Sequence, residues 1–264
     1  MPTILANGLT IAYDVVGAGP PLLVLHGATT SGGQDLASQL DRLATAFLVY
    51  LPDARGHGGS SWDPERGIRT ADLVGDARAF ADELGLDTFH LLGFSMGAMT
   101  ALHVAATWPE RVRTLVVAGI SPDREPRTSV VRRTLDPDRI EREDPGWARM
   151  LRARHDAQEP GRWRRLLPAV VADVASQPLL TPGQLRGIDP PALVAVGDRD
   201  PFVPVAQAAA LARALQDGRL LVAPDAGHEV IAERPELFGA ALADFYRDTE
   251  PIARRRAEHR PEVA

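Results

Sequence analysis

The feature that most constrains the fold of this chain is a regular alternation of short apolar runs with longer amphipathic segments. Continuous apolar runs predict strands buried on both faces of a sheet, and they lie at 21–27, 47–53, 89–94, 113–120, 191–198 and 218–224. Segments with helical periodicity alternate with them, at 33–46, 69–84, 99–108, 205–216 and 235–248. This alternation predicts an α/β fold with a doubly wound, mostly parallel sheet and helices on both faces.

Three parts of the chain fall outside this alternation. Near the N-terminus, Asn7-Gly8 separates two strand-like pieces, which is the signature of a β-hairpin. The segment 121–187 is rich in proline and only irregularly helical, so we interpret it as an inserted lid. The segment 249–264 is charged and aperiodic, and we expect it to be disordered. The predicted domains are a core at 1–120 and 188–248, a lid at 121–187 and a tail at 249–264.

A serine lies at one junction between a predicted strand and a predicted helix. The motif there is Gly-x-Ser-x-Gly, formed by Gly93, Ser95 and Gly97. Glycines at both flanking positions fit a turn so tight that its neighbours can carry no side chain. Such a turn would lift the Ser95 hydroxyl out of the sheet and direct the first N–H groups of the helix towards an approaching group. Ser95 is therefore a candidate nucleophile, although a glycine-rich turn with an incidental serine gives the same pattern.

A serine nucleophile needs a base, usually histidine, and the histidine needs a carboxylate that orients it. In a doubly wound sheet, functional groups gather in the loops at the carboxyl ends of the strands. The loop after the strand at 191–198 offers Asp198 and Asp200, and the last such loop offers His228. Asp123, after an earlier strand, is a weaker candidate for the acid. The order serine, aspartate, histidine is the one expected for this motif on such a fold.

The sequence resembles the α/β-hydrolase fold family over nearly its whole length, from residue 3 to residue 247. The stretches that carry the resemblance are LHGAT (25–29), DARGHGGS (53–60), GFSMG (93–97), GDRDPFVP (197–204) and GHEVIAERPELF (227–238). Within this family the chain is most similar to the small, cofactor-free esterase, enol-lactonase and perhydrolase group.

The resemblance implies roles for individual residues. Ser95 would be the nucleophile, His228 the base and Asp200 the acid. The backbone N–H groups of Ala28 and Met96 would form the oxyanion hole. One of these donors would lie at a helix N-terminus and the other in the loop after a strand, which is a suitable pair of positions for binding a developing oxyanion. No cofactor is implied.

The substrate pocket is less well defined by the sequence. Trp147 and Trp163 in the segment 121–187, and Phe202 beside the predicted acid, are candidates to line it, although packing of the lid against the core would explain the tryptophans equally. The same segment carries 13 arginines against 10 acidic residues. This excess is compatible with an anionic substrate, but surface arginines produced by the codon bias of a GC-rich genome explain it as well.

Composition argues against several other classes of protein. The net charge of −6 disfavours nucleic acid as the main partner. The chain has no cysteine, which excludes disulfides and thiolate metal sites. No histidine pair has the spacing of a metal-binding helix, so we expect no metal. We expect His26 to orient the predicted oxyanion loop and His57 to shape a turn. Without a long apolar run or a signal peptide, we expect a cytoplasmic protein that binds no membrane.

These observations predict a serine hydrolase that cleaves a carboxylic ester, thioester or lactone through an acyl-enzyme on Ser95. The expected partner is a small molecule with such a carbonyl, and self-association into a homo-oligomer stays open. Two alternatives remain on the same fold. The first is C–C bond hydrolysis or peroxyacid formation with the same three residues. The second is a ligand-binding receptor with little turnover, which the presence of all three residues disfavours.

Overall fold

The structure is a computed structural model, and it describes residues 1–258 of the chain. The strands are β1 (Thr3–Ala6), β2 (Leu9–Gly17), β3 (Pro21–Leu25), β4 (Leu48–Pro52), β5 (Phe89–Phe94), β6 (Val112–Ala118), β7 (Ala192–Gly197) and β8 (Gly218–Ala223). They form one sheet in the order β1-β2-β4-β3-β5-β6-β7-β8. β2 is antiparallel to both of its neighbours, whereas all the pairings among β3–β8 are parallel. The predicted mostly parallel sheet is therefore confirmed.

The turn between β1 and β2 is the predicted hairpin turn. Asn7 has φ 49° and Gly8 has φ 73°, and both values lie in the left-handed region that such two-residue turns require. β2 pairs along its other edge with β4. The hairpin therefore supplies the antiparallel part of the sheet.

Helices cover both faces of the sheet. They are α1 (Leu40–Ala44), α2 (Thr70–Glu83), α3 (Met96–Thr107), α4 (Arg127–Thr134), α5 (Pro137–Glu143), α6 (Pro145–His155), α7 (Arg162–Ser176), α8 (Pro182–Arg186), α9 (Val205–Ala214), α10 (Val230–Glu233) and α11 (Pro235–Glu258). Helices α2, α3 and α9 bury Phe80, Leu102 and Leu211 against one face. Helices α1 and α11 bury Leu43 and Phe238 against the other. Because both faces are covered, the parallel strands are largely apolar.

Two segments differ from the sequence prediction. The predicted helix at 33–46 is wrong as a continuous element, because the segment consists of a 3₁₀ turn at Gln34–Leu36 followed by α1. Between them, the buried Gln39 side chain donates to the Pro235 carbonyl oxygen at 2.8 Å, which joins this segment to α11. The tail expected to be disordered is instead helical as far as Glu258, and 259–264 lie outside the described residues.

The segment 121–187, here called the helical insertion, contains α4–α8 and lies between β6 and β7. Its helices surround an apolar cluster in which Trp163, Leu166 and Leu167 are inaccessible to solvent. Met96 and Phe202 of the core also pack against this cluster. The insertion therefore lies against the strand ends where the site residues were predicted.

None of the described helices combines the length and the apolar character needed to cross a membrane.

Candidate active site

The turn between β5 and α3 presents Ser95. Ser95 has φ 51° and ψ −112°, a combination that costs a residue other than glycine about 1–3 kcal/mol. The flanking glycines are required by close backbone approach: a Cβ on Gly93 would meet the Gly97 carbonyl oxygen, and a Cβ on Gly97 would meet that of Leu25. Helix α3 begins at Met96, earlier than predicted and directly after the serine. Ser95 is therefore held at the tip of the turn, beside a helix N-terminus.

The structure brings His228 and Asp200 together with Ser95. Ser95 Oγ lies 2.9 Å from His228 Nε2, and His228 Nδ1 lies 2.9 Å from Asp200 Oδ2. Because a carboxylate only accepts, Nδ1 carries the proton and Nε2 is left to accept from the serine hydroxyl. The rings of Phe94 and Phe202 lie against the imidazole, with centroid separations of 5.1 and 4.3 Å. The histidine is therefore held in one orientation and one tautomer.

Asp200 is fixed by the backbone as well as by the histidine. Its Oδ1 accepts from the N–H groups of residues 202 and 203 at 2.7 and 3.1 Å, and its side chain is fully buried. Asp198 instead accepts from a backbone N–H just before His228, at 3.2 Å, and Asp123 is exposed. Within the described residues, Asp200 is thus the carboxylate among the three candidates that is bonded to the imidazole.

The two predicted oxyanion donors both line the cavity that contains Ser95. Met96 is the first residue of α3, so its N–H is one of the donors left free at a helix N-terminus. Ala28 lies in the loop 26–30 after β3, called here the oxyanion loop after its predicted role. Within the described part of the chain, neither N–H donates to a protein acceptor. Both donors are therefore available to an oxygen atom in the cavity.

His26 sets the direction of the Ala28 N–H. His26 Nε2 accepts from the Ala54 N–H at 2.8 Å, so Nδ1 carries the proton and donates to the Gly27 carbonyl oxygen at 2.7 Å. Burial lowers the pKa of His26 to about 4, which keeps the ring neutral near pH 7. Since the peptide unit is planar and trans, the Gly27 carbonyl and the Ala28 N–H point in opposite directions. By holding the Gly27 carbonyl, His26 therefore fixes the direction of the Ala28 N–H. This is the kind of role that the sequence led us to expect of His26.

Two further residues hold the oxyanion loop, and sequence analysis missed both. Arg154 of α6 donates from Nη1 to the Thr29 carbonyl oxygen at 3.0 Å. Asp35 accepts from the Gly27 N–H and from the Thr30 hydroxyl, both at 2.7 Å, and burial raises its pKa. Asp35 lies in the segment predicted as a regular helix, and Arg154 lies in no motif. Only their tertiary contacts reveal them.

A cluster of three buried histidines packs beside the oxyanion loop. The ring of His57 lies 5.0 Å from that of His26 and 5.4 Å from that of His155. His57 Nε2 is 3.0 Å from the Ala28 carbonyl oxygen, and His155, which belongs to the helical insertion, accepts from the Gly58 N–H at 3.2 Å. Burial lowers the pKa of both His57 and His155 to about 3. The cluster is therefore neutral near pH 7 and joins the insertion to the core.

Ser95 opens into a cavity of about 190 Å³ between the core and the helical insertion. Two of the predicted substrate-binding residues, Trp147 and Phe202, line this cavity. Trp163 does not line it, because its side chain is fully buried among the helices of the insertion. Its predicted contact with substrate is therefore not supported, and packing of the insertion explains it. Within residues 1–258, no group of three or more metal-ligating side chains is placed to hold a metal ion.

The sheet, the serine turn and the hydrogen-bonded Ser95, His228 and Asp200 together define a class of protein. The family model described as the alpha/beta hydrolase family matches residues 22–241. The chain belongs to this family, in agreement with the resemblance seen in the sequence. It is a hydrolase, as are the esterases to which it is similar.

Three individual proteins show which kinds of hydrolase this chain is similar to. The chain is 30% identical over 258 residues to the pimeloyl-[acyl-carrier protein] methyl ester esterase of Chromobacterium violaceum. The aligned region covers 89% of this chain and 98% of that protein. It is similar to the solved structure of a thermophilic esterase from Thermogutta terrifontis, with 25% identity and a TM-score of 0.74 over 94% of this chain and 98% of that one. The enol-lactonase of Burkholderia xenovorans LB400 shares the fold, with 24% identity and a TM-score of 0.74 over 93% and 100% of the two chains.

Proposed function

We propose that this protein is a serine hydrolase that cleaves a carboxylic ester, thioester or lactone through an acyl-enzyme on Ser95. The observation that carries the proposal is the continuous hydrogen-bonded series from Ser95 Oγ through His228 to Asp200, with 2.9 Å at each step. Its serine end faces a cavity that Ala28 and Met96 also line. A nucleophile, a base, an orienting acid and two oxyanion donors are the parts that acyl transfer needs.

The reaction would proceed in two steps. His228 Nε2 takes the proton from Ser95 Oγ as that oxygen attacks the carbonyl carbon, and the carbonyl oxygen becomes an oxyanion held by the Ala28 and Met96 N–H groups. Asp200 stabilises the imidazolium, which then protonates the leaving group. Water, activated by His228, attacks the acyl-enzyme and releases the acid and the free serine. Each oxyanion donor contributes on the order of 10²–10³ in turnover.

The helical insertion is proposed to act as a lid over the serine. In support, Trp147 of α6 lines the same cavity as Ser95, and Arg154 of that helix bonds the oxyanion loop. The names of the esterase relatives favour ester hydrolysis. C–C bond hydrolysis, peroxyacid formation and a receptor without turnover are the alternatives on the same fold, and no feature of the cavity favours any of them.

A fluorophosphonate probe tests the proposal. The probe should label the wild-type protein covalently at Ser95, and Ser95→Ala should abolish the labelling. The same substitution should reduce hydrolysis of 4-nitrophenyl acetate by several orders of magnitude, on the order of 10⁶, because the three residues act as a unit. Ser129→Ala, which removes an exposed hydroxyl on α4, is the matched control and should change neither result. Labelling that persists in Ser95→Ala would exclude Ser95 as the nucleophile.

A further inference from the structure

The wall of the Ser95 cavity carries a buried arginine that the proposed reaction does not use. Arg127, the first residue of α4, lines this cavity and is only 5% exposed. Burial, and to a smaller degree the neighbouring Arg124, lowers the pKa of Arg127 to about 10. The guanidinium therefore still carries its charge near pH 7.

The charge of Arg127 is poorly compensated. Its Nη2 donates to the Asp123 carbonyl oxygen at 3.3 Å, and its buried Nε has no hydrogen-bond partner among residues 1–258. Within the part of the chain that the structure describes, no ion pair joins it to a carboxylate. It also lies at the N-terminus of α4, where the helix dipole is positive and adds to the cost of the charge. A buried cation in this state needs an anionic partner.

The nearest acidic groups are committed elsewhere. Asp173 lines the same cavity, but its two carboxylate oxygens accept from the Thr70 N–H at 2.7 Å and from the Thr70 hydroxyl at 2.8 Å. Thr70 is the first residue of α2, so this carboxylate caps a helix N-terminus. Burial raises the pKa of Asp173, and the two bonds from Thr70 and the charge of Arg127 oppose this rise. Asp123 is exposed and its hydrogen bond to Arg127 comes from its backbone carbonyl. The charges of Asp173 and Asp123 raise the pKa of Arg127, but less than burial lowers it.

Arg124 does not take the place of Arg127 as a binding group. Its guanidinium donates to the carbonyl oxygens of Val174, Ala175 and Gln177 at 3.1, 2.6 and 2.9 Å. These carbonyls belong to the C-terminal end of α7, which favours a cation. Of these two arginines, Arg127 is thus the one that lines the cavity and whose N–H groups can still bind a ligand.

The remaining wall of the cavity is largely apolar. Its apolar side chains include Met99, Ile120, Val131, Leu135, Val170 and Val174. Such a wall suits a hydrocarbon chain, and the uncharged polar side chains in it, among them Thr134 and Gln177, supply no charge to pair with a second anionic group. A single guanidinium with Asp173 close by also suits a monoanion better than a dianion.

We infer that the cavity binds an ester, thioester or lactone that carries a carboxylate on a hydrocarbon chain, and that Arg127 pairs with this carboxylate. The inference names the substrate class of the proposed Ser95 reaction and rests on that function. Arg127 is a specificity-determining residue in this scheme, because the guanidinium offers a fork of donors that matches a carboxylate.

Matched substrates test the inference. Mono(4-nitrophenyl) esters of succinic, glutaric, adipic and pimelic acid are compared with the 4-nitrophenyl esters of unbranched monocarboxylic acids of the same chain length. In the wild type, the kcat/KM of at least one carboxylated ester should exceed that of its neutral counterpart. Arg127→Gln should lower the ratio of the two kcat/KM values by at least about 30-fold, since it removes one partner of a buried charge pair. Arg127→Lys keeps the charge without the fork, and should lower the ratio less.

The matched control is Arg132→Gln, which removes an exposed arginine of the same helix and should leave the ratio unchanged. A wild-type preference for the neutral ester at every chain length would overturn the inference, whatever the variants do. So would an equal ratio in wild type and Arg127→Gln.

A binding measurement separates failure of this inference from failure of the proposed function. Monomethyl adipate is titrated calorimetrically into Ser95→Ala, which should not hydrolyse it, and into the double variants Ser95→Ala/Arg127→Gln and Ser95→Ala/Arg132→Gln, and binding should be lost only in the variant without Arg127. If Ser95 is neither labelled nor needed for hydrolysis, the proposed function fails, while binding that depends on Arg127 would still uphold the anion site. Absence of binding to the Arg127-containing proteins, with Ser95 labelled normally, would overturn the site and leave the hydrolase intact.

Discussion

Replacing Asp200 by asparagine should reverse the tautomer of His228, and the structure shows why. Asp200 Oδ1 accepts from two backbone N–H groups, those of residues 202 and 203, at 2.7 and 3.1 Å. In Asp200→Asn the amide oxygen must keep this position, because an NH₂ group there would face two donors. The NH₂ group is then directed at His228 Nδ1, which lies 2.9 Å from Oδ2 in the native protein. The histidine must accept at Nδ1 and carry its proton on Nε2.

A histidine protonated on Nε2 cannot take the proton of Ser95. We therefore expect kcat for 4-nitrophenyl acetate to fall by about 10⁴, as for the corresponding change in a serine protease triad. The melting temperature should change little, since the two backbone hydrogen bonds are kept. Nitrogen-15 NMR of His228 should show the proton moved from Nδ1 to Nε2.

Asp198→Asn is the matched control for Asp200→Asn. Asp198 is exposed and bonds a backbone N–H instead of the imidazole, so its substitution should change kcat less than about tenfold, well short of a triad loss. The reasoning is refuted if Asp200→Asn keeps more than a tenth of the wild-type kcat, or if Asp198→Asn is the more severe change.

Three further predictions concern the surroundings of the site. Arg154→Met should loosen the oxyanion loop and lower kcat by about tenfold or more, with little effect on melting temperature. Arg152→Met, which changes an exposed neighbour on α6, should leave kcat unchanged, and equal effects of the two variants would contradict a role of Arg154 in holding the loop. Trp147→Ala should shift the preference among acyl chain lengths by about 1–3 kcal/mol per methylene, measured as relative kcat/KM with Ser95 labelling kept, and an unchanged ranking would place specificity elsewhere. His155 has a pKa of about 3 when folded against its usual 6.5, so the unfolded chain binds the extra proton between these values and stability falls as pH drops from 6.5 towards 3. Urea unfolding of His155→Gln should show a flatter pH dependence, by up to about 1.4 kcal/mol per pH unit; a slope identical to the wild type would show that His155 is not the group responsible.

The sequence predicted the parts of this protein that depend on short-range rules. Buried parallel strands need apolar side chains on both faces, and this requirement made the strands visible as continuous runs. The Asn7-Gly8 turn and the Gly-x-Ser-x-Gly turn need positive φ or the absence of a Cβ, which leaves a mark on the residues themselves. The rule that functional groups lie in loops after strands offered Ser95, His228 and the two aspartates Asp198 and Asp200. The choice of Asp200 came from the resemblance to the family, and the structure brings Asp200 together with Ser95 and His228.

Where tertiary contacts compete with local pattern, the sequence was a poorer guide. The segment 33–46 has helical periodicity, yet it is divided into a 3₁₀ turn and α1. Gln39 bonds Pro235, and Asp35 holds the oxyanion loop. Trp147 and Trp163 were indistinguishable by residue type and segment. Only the packing of the insertion places the first in the cavity wall and the second in an enclosed core.

The sequence by itself therefore determined the sheet, the serine turn and the candidates for acyl transfer, because hydrophobic periodicity and backbone sterics act between near neighbours. The tertiary structure alone decided how the charges are paired. Asp173 is bound to Thr70 and Arg154 to the oxyanion loop, while Arg127 lies in the cavity wall and forms no ion pair with a carboxylate of the described residues. These pairings depend on distances between segments that lie far apart in the sequence, and on burial, which strengthens each electrostatic interaction. No local pattern in the chain records either quantity.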